Sequence, residues 1–192
     1  MKKVLLVAAM MLSSAAMFAQ HAVGSFTLQP KAGVSIANLT NVDDSDPRWG
    51  LTAGAELEYQ ATDIFSVSVG ALYSMQGCKP GEGTTIKADY INVPILANVY
   101  VAKGFAVKFG VQPGFNVNSE WKMKGHGISA SADLDAKSVD FSFPVGLSYE
   151  FASLPVVVDA RYNWGVTKVF DTPDDTPKNS VFQVTVGYKF EL

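Results

Sequence analysis

Apolar residues alternate with small or polar ones at a period of two along eight separate runs, the signature of β-strands with two unlike faces rather than helices. The first run carries Phe26, Leu28, Pro30, Ala32, Val34 and Ile36, with Thr27, Gln29, Lys31, Gly33 and Ser35 between them. The same pattern returns over Leu51–Tyr59, Phe65–Met75, Ile91–Val99, Phe105–Val117, Val139–Phe151, Val156–Val166 and Phe182–Phe190. Most runs are about 10–13 residues, the length of a tilted membrane strand, where strands of soluble proteins average about 5–6. The connections alternate in length. Those near 38–49, 77–88, 119–137 and 168–179 are long, and those near 60–63, 102–104 and 152–155 are short. Bacterial membrane barrels have this asymmetry, with tight turns on the periplasmic side and long loops outside. The expectation is an all-β, eight-stranded antiparallel up-and-down barrel that crosses the membrane.

The N-terminus predicts export. Lys2 and Lys3 precede an apolar run from Val4 to Leu12, then Ser13, Ser14, Ala15 and Ala16, with a cleavage point expected after Ala19. Residues 1–19 are assigned to a signal peptide and residues 20–192 to the barrel. Loss of Lys2 and Lys3 leaves 13 basic against 18 acidic residues, net −5. Such a balance disfavours nucleic acid as a partner. Cys78 is the single cysteine, so no internal disulfide forms.

Alternation alone does not say which face is inside, and a soluble β-sandwich has the same period. Volume decides first. Eight strands enclose a space just filled by their own side chains, too small for the roughly forty apolar groups counted on one parity. The opposite parity is mostly Gly, Ser, Ala and Asn with a few long polar groups. Ring placement decides second. On the apolar parity Tyr59, Phe65, Phe105, Tyr149, Phe151, Tyr188 and Phe190 gather beside the short turns, while Tyr73, Phe115, Phe141, Trp164 and Phe182 gather beside the long loops. Two aromatic belts around an aliphatic band suit the two membrane interfaces, with Trp49, Tyr162 and Trp164 as anchors.

The apolar parity carries no charge, and a lipid-facing Lys or Arg at mid-depth would cost about 2–4 kcal/mol. Charges fall on the other parity: Lys31, Lys108, Arg161 and Lys189 against Glu56, Glu58, Asp140, Glu150 and Asp159. An unpaired buried charge is expensive, so an internal ion-pair network is expected among Lys31, Glu56, Lys108, Glu150, Asp159, Arg161 and Lys189, with Arg161 meeting Glu56 or Asp159. A selectivity ring would carry one dominant sign; these nearly cancel.

Short motifs add a resemblance. Lys31-Ala32-Gly33-Val34-Ser35, Tyr73-Ser74-Met75-Gln76-Gly77, Tyr90-Ile91-Asn92-Val93-Pro94, Gly110-Val111-Gln112-Pro113-Gly114, Asp159-Ala160-Arg161-Tyr162-Asn163 and Gly187-Tyr188-Lys189-Phe190 follow one another across nearly the whole mature chain. In order and spacing they resemble the PorT-type outer-membrane β-barrel proteins of the Bacteroidota. The resemblance implies a barrel in the outer membrane of a Gram-negative bacterium. The last strand also resembles the insertion signal read by the barrel-assembly machinery, with Val184, Val186, Tyr188 and Phe190 at alternate positions; Glu191 and Leu192 after the final ring depart from it.

No catalytic residue, cofactor or metal is assigned. Small membrane-barrel enzymes resemble one another in placing His with Ser, Asp or Glu at the outer rim. Here His126 lies near Ser129, Ser131 and Asp133, but in a loop whose spacing fixes no geometry. The acidic runs Asp43-Asp44-Ser45-Asp46 and Asp171-Thr172-Pro173-Asp174-Asp175 lack the spaced ligands and Gly of a calcium loop. The expected partners are outer-membrane lipid and lipopolysaccharide, the assembly machinery, and an external protein or glycan met by the loops. The third loop, residues 119–137, is longest, and its Trp121 is the candidate contact residue. The expected function is structural or surface interaction carried by the external loops of a barrel with a side-chain-filled lumen; the competing functions are a small channel, transport or secretion-accessory barrel and a rim enzyme acting on lipid or peptide.

Overall fold

The computed structural model describes residues 21–42, 45–81, 83–125, 128–133, 136–170 and 176–192. The expected signal peptide, His126, Asp43, Asp44 and the run 171–175 lie outside them. The strands are β1 (Phe26–Thr40), β2 (Ser45–Thr62), β3 (Phe65–Pro80), β4 (Thr84–Asn92), β5 (Ile95–Ala102), β6 (Phe105–Gly125), β7 (Ile128–Asp133), β8 (Val139–Glu150), β9 (Val156–Gly165), β10 (Lys178–Tyr188) and β11 (Phe190–Glu191).

Every pairing is antiparallel, and each wall strand pairs with its sequence neighbour. β10 then returns to β1, from Lys31↔Gly187 up to Thr40↔Lys178, with β11 continuing the seam at Leu28↔Phe190. Closure leaves no edge among the wall strands, so the backbone donors and acceptors of the wall are satisfied inside the sheet, as a membrane requires.

Eight wall positions carry these strands. β4 and β5 share the fourth, broken at Val93-Pro94, where Pro94 has no N–H to give the ladder. The Val93 N–H instead donates to the Pro113 carbonyl at 2.8 Å, and the Pro94 carbonyl accepts from Gly70 at 3.0 Å. β7 folds back on the top of β6 alone.

Three of the long connections are largely strand, which corrects the loop bounds expected above. β1 and β2 together reach over most of 38–49, β3 and β4 over most of 77–88, and β6 and β7 over most of 119–137. The polar residues there continue strand pairing in water, where the hydrophobic contrast that reveals a strand is lost.

The apolar parity faces outward: Val69, Phe109, Val145 and Val186 are 45%, 48%, 58% and 53% exposed, while Arg161 is 2% exposed. Ring pairs line the short-turn belt, Phe26 with Tyr59 at 4.9 Å, Tyr149 with Phe151 at 5.0 Å and Tyr188 with Phe190 at 4.6 Å. At the long-loop end Trp49, Tyr73, Phe115, Phe141, Trp164 and Phe182 are exposed on the same face.

Candidate functional site: a charged lumen and a sealed outer end

The inward parity delivers long polar side chains into a space whose walls are glycine beside them. Lys31 lies between Gly187 and Gly54 across the ladder. Glu56 is flanked by Gly70, and Gly146 lies between Lys108 and Arg161. Without a neighbouring Cβ, each charged side chain has room to turn toward the axis.

Mid-barrel, two carboxylates hold three cations. Glu56 Oε1 is 2.9 Å from Lys31 Nζ and 2.8 Å from Arg161 Nη2, and its Oε2 is 3.3 Å from Lys108 Nζ. Asp159 Oδ2 is 3.0 Å from Lys108, 3.2 Å from Arg161 and 3.6 Å from Lys31. All five are buried.

A second layer lies toward the short turns. Lys189 Nζ is 3.1 Å from both Glu58 Oε2 and Glu150 Oε2. Ser66 donates to Glu58 at 2.6 Å, and the Tyr100 hydroxyl donates to the same oxygen. His21 Nε2 is 3.0 Å from Glu150 Oε1, which lays the start of the described chain across this end. The two layers together hold four cations, Lys31, Lys108, Arg161 and Lys189, and four carboxylates, Glu56, Glu58, Asp159 and Glu150. Their charges cancel.

Above the ions the filling is mostly amide and hydroxyl, with the single carboxyl of Asp140 among the described residues. Asn163 donates to Gln183 at 3.0 Å, Gln183 to Ser74 at 2.9 Å across the lumen, and Gln112 to Ser142 at 3.1 Å. Asp140 accepts from Asn179 at 3.0 Å and from Thr167. Leu39, Cys78, Ala88, Tyr90 and Val169 then form an apolar cap, with Val42, Ile86, Ala136 and Phe170 against it.

A separate buried pair spans the outer wall. Arg48, on the lumen parity of β2, reaches through the irregular register between Pro47 and Thr52. It donates to the Gln76 carbonyl and to Asp89 Oδ1, the latter at 2.9 Å. Asp89 Oδ2 also accepts from Tyr73 at 3.1 Å and Asn118 at 3.2 Å.

The structure brings Lys31, Glu56, Lys108, Asp159 and Arg161 into one cluster and Glu150 and Lys189 into the next. Val184, Val186, Tyr188 and Phe190 lie on the outer face of the closing seam, the last three exposed. Trp121 is half-buried, opposite Ile86 on one side and Ala132 on the other. Sequence reasoning passed over Glu58 and Tyr100 as partners of Lys189, and over Arg48 and Asp89. Counting back from Thr52 through Gly50 puts Arg48 on the lumen parity, a signal hidden by treating 38–49 as loop. Among the described residues no group of three or more His, Cys, Asp or Glu could hold a metal ion.

No curated protein matches the chain in sequence. In fold it is similar to Ail, the attachment invasion locus protein of Yersinia pestis, at a TM-score of 0.53 and 16% identity, over 88% of this chain and 100% of that one. It is also similar to Neisserial surface protein A, at a TM-score of 0.52 and 14% identity, over 86% and 97% of the two chains. These likenesses concern the barrel itself. The family model described as outer membrane protein beta-barrel domain matches residues 5–190, nearly the whole length, and the chain therefore belongs to that outer-membrane β-barrel family.

Proposed function

We propose that this protein is a non-enzymatic outer-membrane barrel with a closed lumen, whose role is structural or one of surface interaction carried by the long-loop end. The observation that carries the reading is the filling of the barrel. Compensated charges occupy the middle, an amide and hydroxyl layer lies above them, and an apolar cap of Leu39, Cys78, Ala88, Tyr90 and Val169 closes the outer end. A conducting pore keeps water along its axis; here the wide side chains of both layers bond to one another across it.

The long-loop end faces the cell exterior in this reading, as the asymmetry of turn and loop length supports. The β6–β7 hairpin is its interaction surface, with Trp121 at half-burial and Met123 exposed as the apolar contact residues. Residues 1–19 direct export and are removed. The assembly machinery reads Val184, Val186, Tyr188 and Phe190, which line the seam strand that must close last on β1. The order of the short motifs supports a place among PorT-type barrels of the Bacteroidota.

Single-channel recording in planar bilayers tests the closed lumen. The expected result is no stable conductance step for the wild-type chain; regular steps would overturn the reading in favour of a channel. Trp121→Ala is expected to weaken attachment of whole cells to an external protein or glycan while leaving barrel insertion unchanged; unaltered attachment would remove Trp121 from the surface.

A further inference from the structure

Above the outer ring belt, the exterior of the β3–β4–β6 wall changes from apolar to charged. Tyr73, Ile91 and Phe115 stand in register on that face. One step higher Met75 pairs with Asp89, and Asp89 with Asn118. Next come Gly77, Lys87 and Glu120, and above them Thr85 opposite Lys122 and Lys79 opposite Asp46.

The register shift at Asp89/Tyr90 makes this column. It inserts Val117 as an extra residue, so that Glu120 and Lys122, not Trp121, continue the outward face of β6. At about 3.3 Å per residue and a tilt near 40°, Lys87 and Lys122 stand about 10–15 Å above Ile91 and its ring neighbours. That is at the outer edge of the headgroup layer, from which long lysine side chains reach back to the headgroups, and the face looks sideways along the membrane.

Lys87 Nζ and Lys122 Nζ share one oxygen, Glu120 Oε2, at 3.4 and 3.1 Å. Both ammonium groups donate toward that one oxygen, so each carries only part of its neutralisation. They open on a groove of about 580 Å³ that Asp46, Lys79, Thr84 and Thr85 also line. Among the described residues, the ammonium groups of Lys79, Lys87 and Lys122 meet the carboxylates of Glu120 and Asp46 here, with threonine hydroxyls beside them.

We propose that this groove binds the phosphate of an outer-leaflet lipid headgroup, with Lys87 and Lys122 as its ligands and Lys79 at its rim. Two ammonium groups forced together around one carboxylate are relieved by an added anion. Lysine binds phosphate as a point charge without needing a planar partner. Basic clusters at headgroup height are attracted by anionic lipid. The sideways aspect and the continuity with the ring belt select a lipid rather than a dissolved ion. This inference rests on the apolar face meeting lipid and on the long-loop end being outside.

The test uses the mature chain in phospholipid nanodiscs containing either bisphosphorylated lipid A or the same lipid stripped of both phosphates, with retained lipid counted by native mass spectrometry. Wild type is expected to retain the phosphorylated form at least about tenfold better, one charge-assisted contact or more. The preference is expected to vanish in the double variant Lys87→Gln/Lys122→Gln. It should persist in Lys87→Arg/Lys122→Arg, and in Lys103→Gln at the opposite end. Heat-modified gel mobility checks that each variant is folded. Equal retention of the two lipids by wild type, or an unchanged preference in the Gln pair, overturns the proposal. Inorganic phosphate, added to nanodiscs without lipid A, is expected to bind more weakly; binding as tight as the lipid's would make the ligand a free anion and overturn the lipid source. A chain that does not enter nanodiscs at all overturns the membrane reading beneath both proposals.

Discussion

Glu56 is the residue on which the lumen turns. Its carboxylate touches Lys31, Lys108 and Arg161, all buried, within 3.3 Å. Glu56→Gln leaves those three cations to Asp159 alone, and breaking a buried ion network from one side costs about 3–5 kcal/mol. That loss is expected in urea unfolding of the chain refolded into lipid vesicles; a change below about 1 kcal/mol, the range of exposed pairs, would mean that water enters the lumen. Glu120→Gln is the comparison. Its partners Lys87 and Lys122 face solvent at the rim, and no measurable loss of stability is expected there. Cys78 behaves differently again. Burial pushes its thiol up to about 11, and the thiolate is the reactive form. Maleimide is therefore expected to label it only after unfolding. Rapid labelling of the inserted protein would show that the apolar cap opens.

Strands, rather than single residues, decide which charges can meet. A lumen charge is tolerated where the facing strand offers glycine, and Gly146 serves two charges at once, Lys108 on one side and Arg161 on the other. A Cβ on Gly146 would lie 2.6 Å from the Ala160 carbonyl oxygen and 3.2 Å from Arg161 Cβ. Gly146→Leu is expected to destabilise the barrel by about 1–3 kcal/mol through overpacking. The same urea titration measures it, and a stability equal to wild type would show that the lumen has spare room. Element boundaries were the least legible feature of the sequence. Alternation of Phe with Gly or Ser marks a strand because lipid and lumen are different solvents. Above the hydrocarbon both faces of β6 meet water or polar neighbours, so Glu120, Trp121, Lys122 and Met123 look like loop although they pair with β4 and β7. The shift at Asp89/Tyr90 also reverses parity, which a constant count of two misses.

For the whole molecule, closure between β1 and β10 pairs the last wall edge, so a wall strand cannot leave without exposing its neighbours' backbone groups to lipid. Unboiled samples are accordingly expected to migrate apart from boiled ones in detergent gels, and a soluble product with a single mobility would contradict the barrel. Sequence by itself determined the eight wall positions, the antiparallel meander and the outward face. All three follow from one physical fact, that each wall strand separates hydrocarbon from a small polar interior and must alternate to do so. It also placed Lys31, Glu56, Lys108, Glu150, Asp159, Arg161 and Lys189 on a single parity. Only the tertiary structure decided their partners. Arg161 and Glu56 are 105 residues apart in the chain but 2.8 Å apart in space. That proximity depends on shear and strand tilt around the closed circle, which no local pattern encodes. The apolar cap, the Arg48–Asp89 pair and the lysine groove are likewise products of closure and of two register shifts, where strands remote in sequence are brought to the same height.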